Sequence, residues 1–329
     1  MSKYLIFRTD RIGDFIFSRS LVYAIKKKSP KTKIDFVCSS YNSKYIKKYN
    51  DINKIYILDK YNITLMIKNF ININKSSYDK IIILDGKRRS IFFSLFLLAK
   101  EKICVVKDFR PTILLRFFFT KYIINSNINS QFHNFTILTN FLGYKMPEKI
   151  KYNDNYIIKT NKSFKLPKNF THLHLDEKWF DGYYYKDFKN IDLDEKNLFF
   201  FLRFLIKKFK KNLIITSGKI NTLQFQKIEQ KFFIETKQGY SIIKNFKSRY
   251  NIRVYKNTSF QDIEYISSKC SELICCEGAI SHVSNSYNKK TYALINDMIT
   301  AKFWTLHMKN VSLLKRGSIR NICKQLKSH

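Results

Sequence analysis

The sequence predicts an α/β protein built from two parallel-sheet domains. Three observations predict it. Short apolar runs alternate with stretches of helical spacing over residues 3–99. The same alternation restarts at Phe170. Between the two halves, Lys145 to Lys168 dissolves into Lys, Asn and Tyr with Pro147 and Pro167, which reads as a boundary. The expected division is a first domain over residues 1–150, a linker over 151–168, a second domain over 169–305 and a terminal segment over 306–329.

The first domain opens with Tyr4-Leu5-Ile6-Phe7, an apolar run that reads as a strand buried on both faces. A polar break follows, Arg8-Thr9-Asp10-Arg11. Gly13 would then allow a sharp turn or a close approach to a ligand. From Phe15 the apolar residues take helical spacing, so Asp14 falls in the first turn of a helix. There it caps the helix or stands at the carboxyl end of the sheet as a catalytic carboxylate. Lys33–Ser39, Ile52–Leu58 and Lys80–Leu84 read as the next strands, with a helix between Asn42 and Tyr49. The fourth strand runs into Asp85-Gly86-Lys87-Arg88-Arg89-Ser90, and a helix is expected from Ile91. Three successive cations at a helix start oppose the helix dipole, which favours an anion site over a merely solvated turn. Gln131–Gly143 is an amphipathic helix with Phe132, Phe135, Leu138 and Leu142 on its apolar stripe and Gly143 as C-cap. His133 lies at its start.

In the second domain, Phe170–Leu175 is a strand with Leu173 and Leu175 on one face and His172 and His174 on the other. The two histidines and Asp176 have spacing that could suit a metal, but no third nitrogen or sulfur ligand is near, so a structural role is expected. Leu193–Lys208 is a helix. Asn212–Thr216 is a strand ending in Ser217-Gly218-Lys219. After a helix capped by Ser259, the strand Glu272–Cys276 runs into Glu277-Gly278-Ala279-Ile280-Ser281-His282 and another helix. That loop presents backbone N–H groups at a helix N-terminus, a ready site for phosphate oxygens.

Composition narrows the function classes. Hydrophobic content of 45% excludes global disorder. The net charge is +36, from 61 Lys and Arg against 25 Asp and Glu, and implies an anionic partner: nucleic acid, a membrane surface or a phosphorylated substrate. The cations are spread along the chain rather than gathered in an arm. None of the six cysteines forms a C-x-x-C pair, and most lie in apolar runs, as expected for free thiols in a reducing cytoplasm. The longest apolar run, Ile91–Ala99, is far short of the ~20 residues that span a bilayer. A soluble protein is expected, with peripheral contact to an anionic inner-membrane face allowed by its charge.

Three segments, in order along the chain, resemble glycosyltransferase family 9, the family of the ADP-heptose:lipopolysaccharide heptosyltransferases. They are R-T-D-R-I-G-D over Arg8–Asp14, D-G-K-R-R-S over Asp85–Ser90 and E-G-A-I-S-H over Glu277–His282. The last departs from the family pattern, which carries D-[ST]-G-x-x-H: Glu277 stands at the Asp, Gly278 at the hydroxyl residue and Ala279 at the Gly, while His282 matches. The Pro-Gly pair usual after the first strand of the second domain is also missing here.

The resemblance implies two Rossmann-like domains facing a cleft, the arrangement called GT-B, with a terminal helix from Arg316 to Lys327 packing back on the first domain. It implies inverting transfer of a sugar from a nucleotide-diphosphate donor, ADP-heptose by analogy, to an anionic glycolipid such as a lipopolysaccharide core, with no cofactor and no metal. Asp14 would be the general base. Lys178, Ser217, Gly218, Glu277, Gly278, Ala279 and His282 would serve the donor. Thr9, Arg11, Gly13, Lys87, Arg88, Arg89 and His133 would serve the acceptor. The rival readings are a basic nucleic-acid-binding protein, for which no recognised motif is present, and a relative that has lost activity through its Glu277-Gly278-Ala279 departures.

Overall fold

The computed structural model describes residues 1–59, 61–106, 117–124, 130–148, 150, 160, 163–180, 191–218, 220, 222–236, 238–244 and 246–329. The chain divides into two compact units, Met1–Ile157 and Ile158–His329.

The first unit alternates strand and helix as the apolar pattern requires: β1 (Lys3–Arg8), α1 (Ile12–Lys28), β2 (Lys33–Cys38), α2 (Ser40–Ile46), β3 (Lys54–Ile57), α3 (Ile63–Asn74), β4 (Tyr78–Ile83), α4 (Arg88–Leu95), β5 (Ala99–Val106), β6 (Lys121–Ile124) and α5 (Gln131–Phe141). All pairings within the six-stranded sheet are parallel, in the order β3-β2-β1-β4-β5-β6. The apolar run of β1 is buried throughout, with Leu5, Ile6 and Phe7 at 0% exposure. Alternate side chains feed two cores. Leu5 and Phe7 pack with Ile73 of α3 and Phe93 of α4, whereas Phe36 of β2 meets Phe15 of α1 edge-on at 5.6 Å. Helix α1 carries Asp14 in its first turn and Lys26, Lys27 and Lys28 in its last, so both ends complement the helix dipole. Gly143 follows α5 in the left-handed region, at φ +80°, as its reading as a C-cap requires.

The second unit contains β7 (Phe170–Leu175), a 3-10 turn (Glu177–Trp179), α6 (Glu195–Phe209), β8 (Asn212–Ser217), α7 (Leu223–Phe232), β9 (Phe233–Glu235), β10 (Ser241–Ile243), β11 (Ile252–Tyr255), α8 (Phe260–Lys269), β12 (Glu272–Cys276), α9 (Ala279–Ser286), β13 (Lys290–Ile295), α10 (Met298–Thr305), β14 (Val311–Lys315) and α11 (Ile319–Lys327). Its sheet runs β14-β13-β12-β7-β8-β11-β10-β9, parallel except for the two pairings of β10. Ser259 caps α8 in a reciprocal box with Asp262.

The terminal helix α11 places Ile319, Ile322, Cys323 and Leu326 in the core of its own unit, with Leu198, Phe201, Leu202 and Leu205 of α6. Its start is tied there as well, because the Ile319 N–H donates to Asp192 Oδ1 at 2.5 Å. The four apolar residues form one stripe of a short helix. Among the described residues no helix is long and apolar enough to cross a membrane.

Candidate functional site

Both sheets reverse their strand order between neighbouring parallel strands, and open α/β sheets bind ligands beyond the strand ends at such a point. In the first unit the reversal lies between β1 and β4, which pair directly. The loops after these strands are Thr9–Arg11 and Asp85–Lys87.

Side chains knit the two loops together. Asp85 Oδ2 accepts from the Thr9 N–H at 3.0 Å, the Thr9 hydroxyl at 2.5 Å and the Ser90 hydroxyl at 2.7 Å. Lys87 Nζ reaches back to Thr9 O at 3.3 Å. Beneath them lies Arg8, only 3% exposed, donating to Leu84 O at 2.8 Å and Asp14 O at 3.1 Å. Its guanidinium also pairs with Asp10 at 3.3 Å and with Asp14 at 3.6 Å. Asp14 takes the capping role and stays open to solvent. One carboxylate oxygen accepts from the Arg11 N–H at 3.3 Å and caps the helix, while the side chain remains partly exposed at the sheet's carboxyl edge.

Asp10 is the strained member of this cluster. Burial pushes its carboxyl up to about 6, against the pull of Arg8 and with the added push of Asp14 and Asp85. A carboxyl raised above its unfolded value stabilises the fold while protonated and loses that contribution as pH rises through the folded pKa. Asp10→Asn is therefore expected to raise the melting temperature more at pH 8 than at pH 4.5. Equal shifts at the two pH values would contradict the placement.

The expected acceptor residues are distributed unevenly. Thr9 and Lys87 belong to the knot just described. Arg88 is exposed and Arg89 partly buried in the first turn of α4, where Arg89 Nε finds no hydrogen-bond partner among the described residues. Arg11 is exposed as the N-cap of α1. Gly13 lies inside the first turn of α1, so of its two expected uses the sharp turn falls instead to Thr9–Arg11. His133 is exposed, and its backbone N–H completes the Ser130 cap of α5 at 3.2 Å. That helix reaches the knot through Phe135, whose ring lies 5.8 Å from the Arg8 guanidinium.

In the second unit the reversal lies between β7 and β12, again direct neighbours. The turn after β7 carries Lys178, whose N–H donates to Asp176 Oδ1 at 3.1 Å. Its ammonium crosses to the loop after β12 and donates to the Glu277 carbonyl. Burial alone would lower the pKa of Lys178, but the Asp176 and Glu277 carboxylates outweigh it and hold the pKa above its ordinary value, so the group stays charged. Arg316 braces this arrangement by donating to Lys178 O and, at 3.2 Å, to Cys276 Sγ. Gly278 is the N-cap of α9. Cation and helix N-terminus thus meet at the ends of neighbouring strands.

Gly278 has a steric reason to be glycine here. A Cβ at this position would lie 2.9 Å from Lys178 Nζ. Gly278→Ala is expected to displace the ammonium with little loss of stability, because the clash is with a side-chain end. Thermal unfolding checks this, and a large fall in melting temperature would contradict it.

His282 is buried and stacks on His307, with ring centroids 6.0 Å apart. Burial, with His307 and Lys178 nearby, lowers its pKa to about 3, so it stays neutral at physiological pH. It can hydrogen-bond to a nucleotide but brings no charge to a phosphate. Ala279 begins α9. Ser217, at the end of β8, is 1% exposed, and its hydroxyl finds no partner among the described residues. A Cβ on Gly218 would meet open space. Lys219 lies outside the described residues. His172 and His174 share the Thr216 hydroxyl at 2.8 and 2.9 Å, and His172 also meets the Ser267 hydroxyl at 3.1 Å, a buried structural network.

No protein-family model and no curated protein matches the sequence. Solved structures do match it over nearly its whole length. The E. coli heptosyltransferase WaaC with ADP-2-deoxy-2-fluoro heptose superposes with a TM-score of 0.71 at 12% identity, covering 99% of each chain. The fold is that of the GT-B glycosyltransferases. A family 9 glycosyl transferase from Veillonella parvula gives 0.69 at 12% identity, covering 95% of this chain and 86% of that one. A UDP-GlcNAc 2-epimerase from Methanocaldococcus jannaschii gives 0.56 at 11% identity, covering 99% and 92%. At these identities the likeness speaks to fold, and activity must be argued from the sites.

Sequence reasoning missed Arg8, Asp10 and Asn42 as site members. Asn42 donates to both Arg8 O and Asp10 O at 3.1 Å, holding the first loop. The signal for Arg8 and Asp10 was present, since a cation that ends a buried strand, two residues before an acid, must be neutralised nearby. For Arg316 and His307 there was none, because both arrive from a basic tail in which no cation or ring stands out.

Proposed function

We propose that this chain is an inverting glycosyltransferase of the family 9 type. It transfers a sugar, a heptose by analogy, from an ADP-linked or similar nucleotide donor to an anionic glycolipid such as a lipopolysaccharide core. One observation carries this reading. Each sheet brings a different charge to its own reversal point: a carboxylate, Asp14, in the first unit, and a cation with a helix N-terminus, Lys178 and α9, in the second.

The chemistry needs that division. Asp14 takes the proton from the acceptor hydroxyl as its oxygen bonds to the anomeric carbon. The bond from that carbon to the diphosphate oxygen breaks on the opposite face, which inverts configuration. The departing diphosphate carries the bonding pair and gathers negative charge. Lys178 and the first N–H groups of α9 stabilise that charge. Neutral His282 would hold the nucleotide by hydrogen bonding. Lys87, Arg88 and Arg89 would bind anionic groups of the acceptor.

The resemblance carried by Arg8–Asp14, Asp85–Ser90 and Glu277–His282 supports transfer over epimerisation, although the fold accommodates both. The test incubates the purified chain with nucleotide-sugar donors, ADP-heptose first, and a lipopolysaccharide core acceptor. Mass spectrometry should show the acceptor gaining one sugar as nucleoside diphosphate is released. Conversion of the donor sugar to an epimer, with no gain by the acceptor, would overturn the reading.

A further inference from the structure

The face of the first unit formed by α3 and α4 is exposed and apolar in a way its core does not require. On α3 only Ile73 is fully buried. Ile63, Ile67 and Ile71, at i, i+4 and i+8, form one stripe and are 68%, 56% and 48% exposed. On α4 and just beyond it, Phe92, Phe96 and Leu98 are 65%, 56% and 72% exposed.

These two groups are neighbours. Asn74, at the end of α3, donates to Phe96 O at 3.5 Å and accepts from the Leu98 N–H at 3.1 Å. Phe70 of α3 meets Phe93 of α4 edge-on at 5.8 Å. Scattered exposed apolar residues are ordinary, but six on two adjoining elements make a patch that marks an interaction surface.

The charge around the patch selects the occupant. Between Tyr61 and Leu98 the only acidic residues are Asp79 and Asp85. Asp85 is 2% exposed and engaged by Thr9 and Ser90. Asp79 pairs with Lys100 at 2.8 Å. Lys68 and Lys75 on and after α3, and Arg88 on α4, are exposed. An apolar face rimmed by cations suits a surface that is anionic outside and apolar beneath. A second copy of this chain would set the same cations against themselves, at a net charge of +36 per chain.

We infer that the α3–α4 face is a membrane-docking surface, on which the exposed isoleucines and phenylalanines enter the headgroup region of an anionic phospholipid bilayer. The inference stands apart from the proposed transfer reaction, and its test needs no donor.

The experiment is co-sedimentation of the full chain with vesicles of one part phosphatidylglycerol to two parts phosphatidylcholine, and with phosphatidylcholine alone. Wild type is expected to bind the anionic vesicles, more weakly as salt rises. The exposed-residue variant Ile67→Glu/Phe96→Glu is expected to partition about tenfold less, with its unfolding midpoint and nucleotide binding unchanged. Lys68→Gln/Lys75→Gln is expected to bind less and with a shallower salt dependence. Wild type failing to bind either vesicle would overturn the inference. So would equal partitioning of wild type and Ile67→Glu/Phe96→Glu. A wild-type dimer that this variant dissolves, without vesicle binding, would overturn it too and assign the face to self-association.

Discussion

Asp14→Asn is expected to lower kcat about 10²–10⁴-fold, the range that a positioned general base contributes. The substitution isolates the proton transfer. An asparagine oxygen can still accept from the Arg11 N–H and cap α1, as Asp14 does at 3.3 Å. Arg8 keeps a carboxylate partner, because Asp10 lies 3.3 Å from it. Folding and donor affinity are therefore expected to survive, so the loss falls in kcat rather than KM. A variant that folds normally and transfers at the wild-type rate would remove Asp14 from the mechanism.

Lys178→Met is expected to cost about 10²–10³-fold in turnover, the scale for losing one preorganised group that stabilises a developing oxyanion. Methionine keeps most of the side-chain volume and removes the charge. The diagnostic readout is the preference for nucleoside diphosphate over nucleoside, which should collapse as the diphosphate loses its cation. A second consequence follows from Asp176, whose pKa burial already raises against the opposing pull of Lys178. Without that cation the carboxyl rises further, so the variant loses more stability at neutral pH than in acid. Unaltered diphosphate preference would contradict the role given to Lys178.

Much of the architecture was legible because its cause is local. β1 and β12 are nearly unbroken apolar runs, and a strand buried on both faces has to be one. Helix α3 escaped notice for a physical reason. Its isoleucines at positions 63, 67 and 71 face outward, so the apolar periodicity that would announce a core-facing helix is blurred. The terminal helix was legible as a helix from its apolar stripe. At the sites, the resemblance singled out Asp14 and Lys178, each lying just after a strand. Arg8 and Arg316, which hold them, act across 6 and 138 residues and become visible only once the sheet brings them together.

The measurement that bears most directly on the central claim is calorimetric titration of the purified chain with ADP, GDP, UDP, CDP and dTDP, repeated on Lys178→Met, with a short DNA duplex as control. The account predicts that wild type binds one of these diphosphates, ADP first, and that Lys178→Met loses it. A wild type that binds none of them but binds the duplex would contradict the account and leave the basic surface as the functional one.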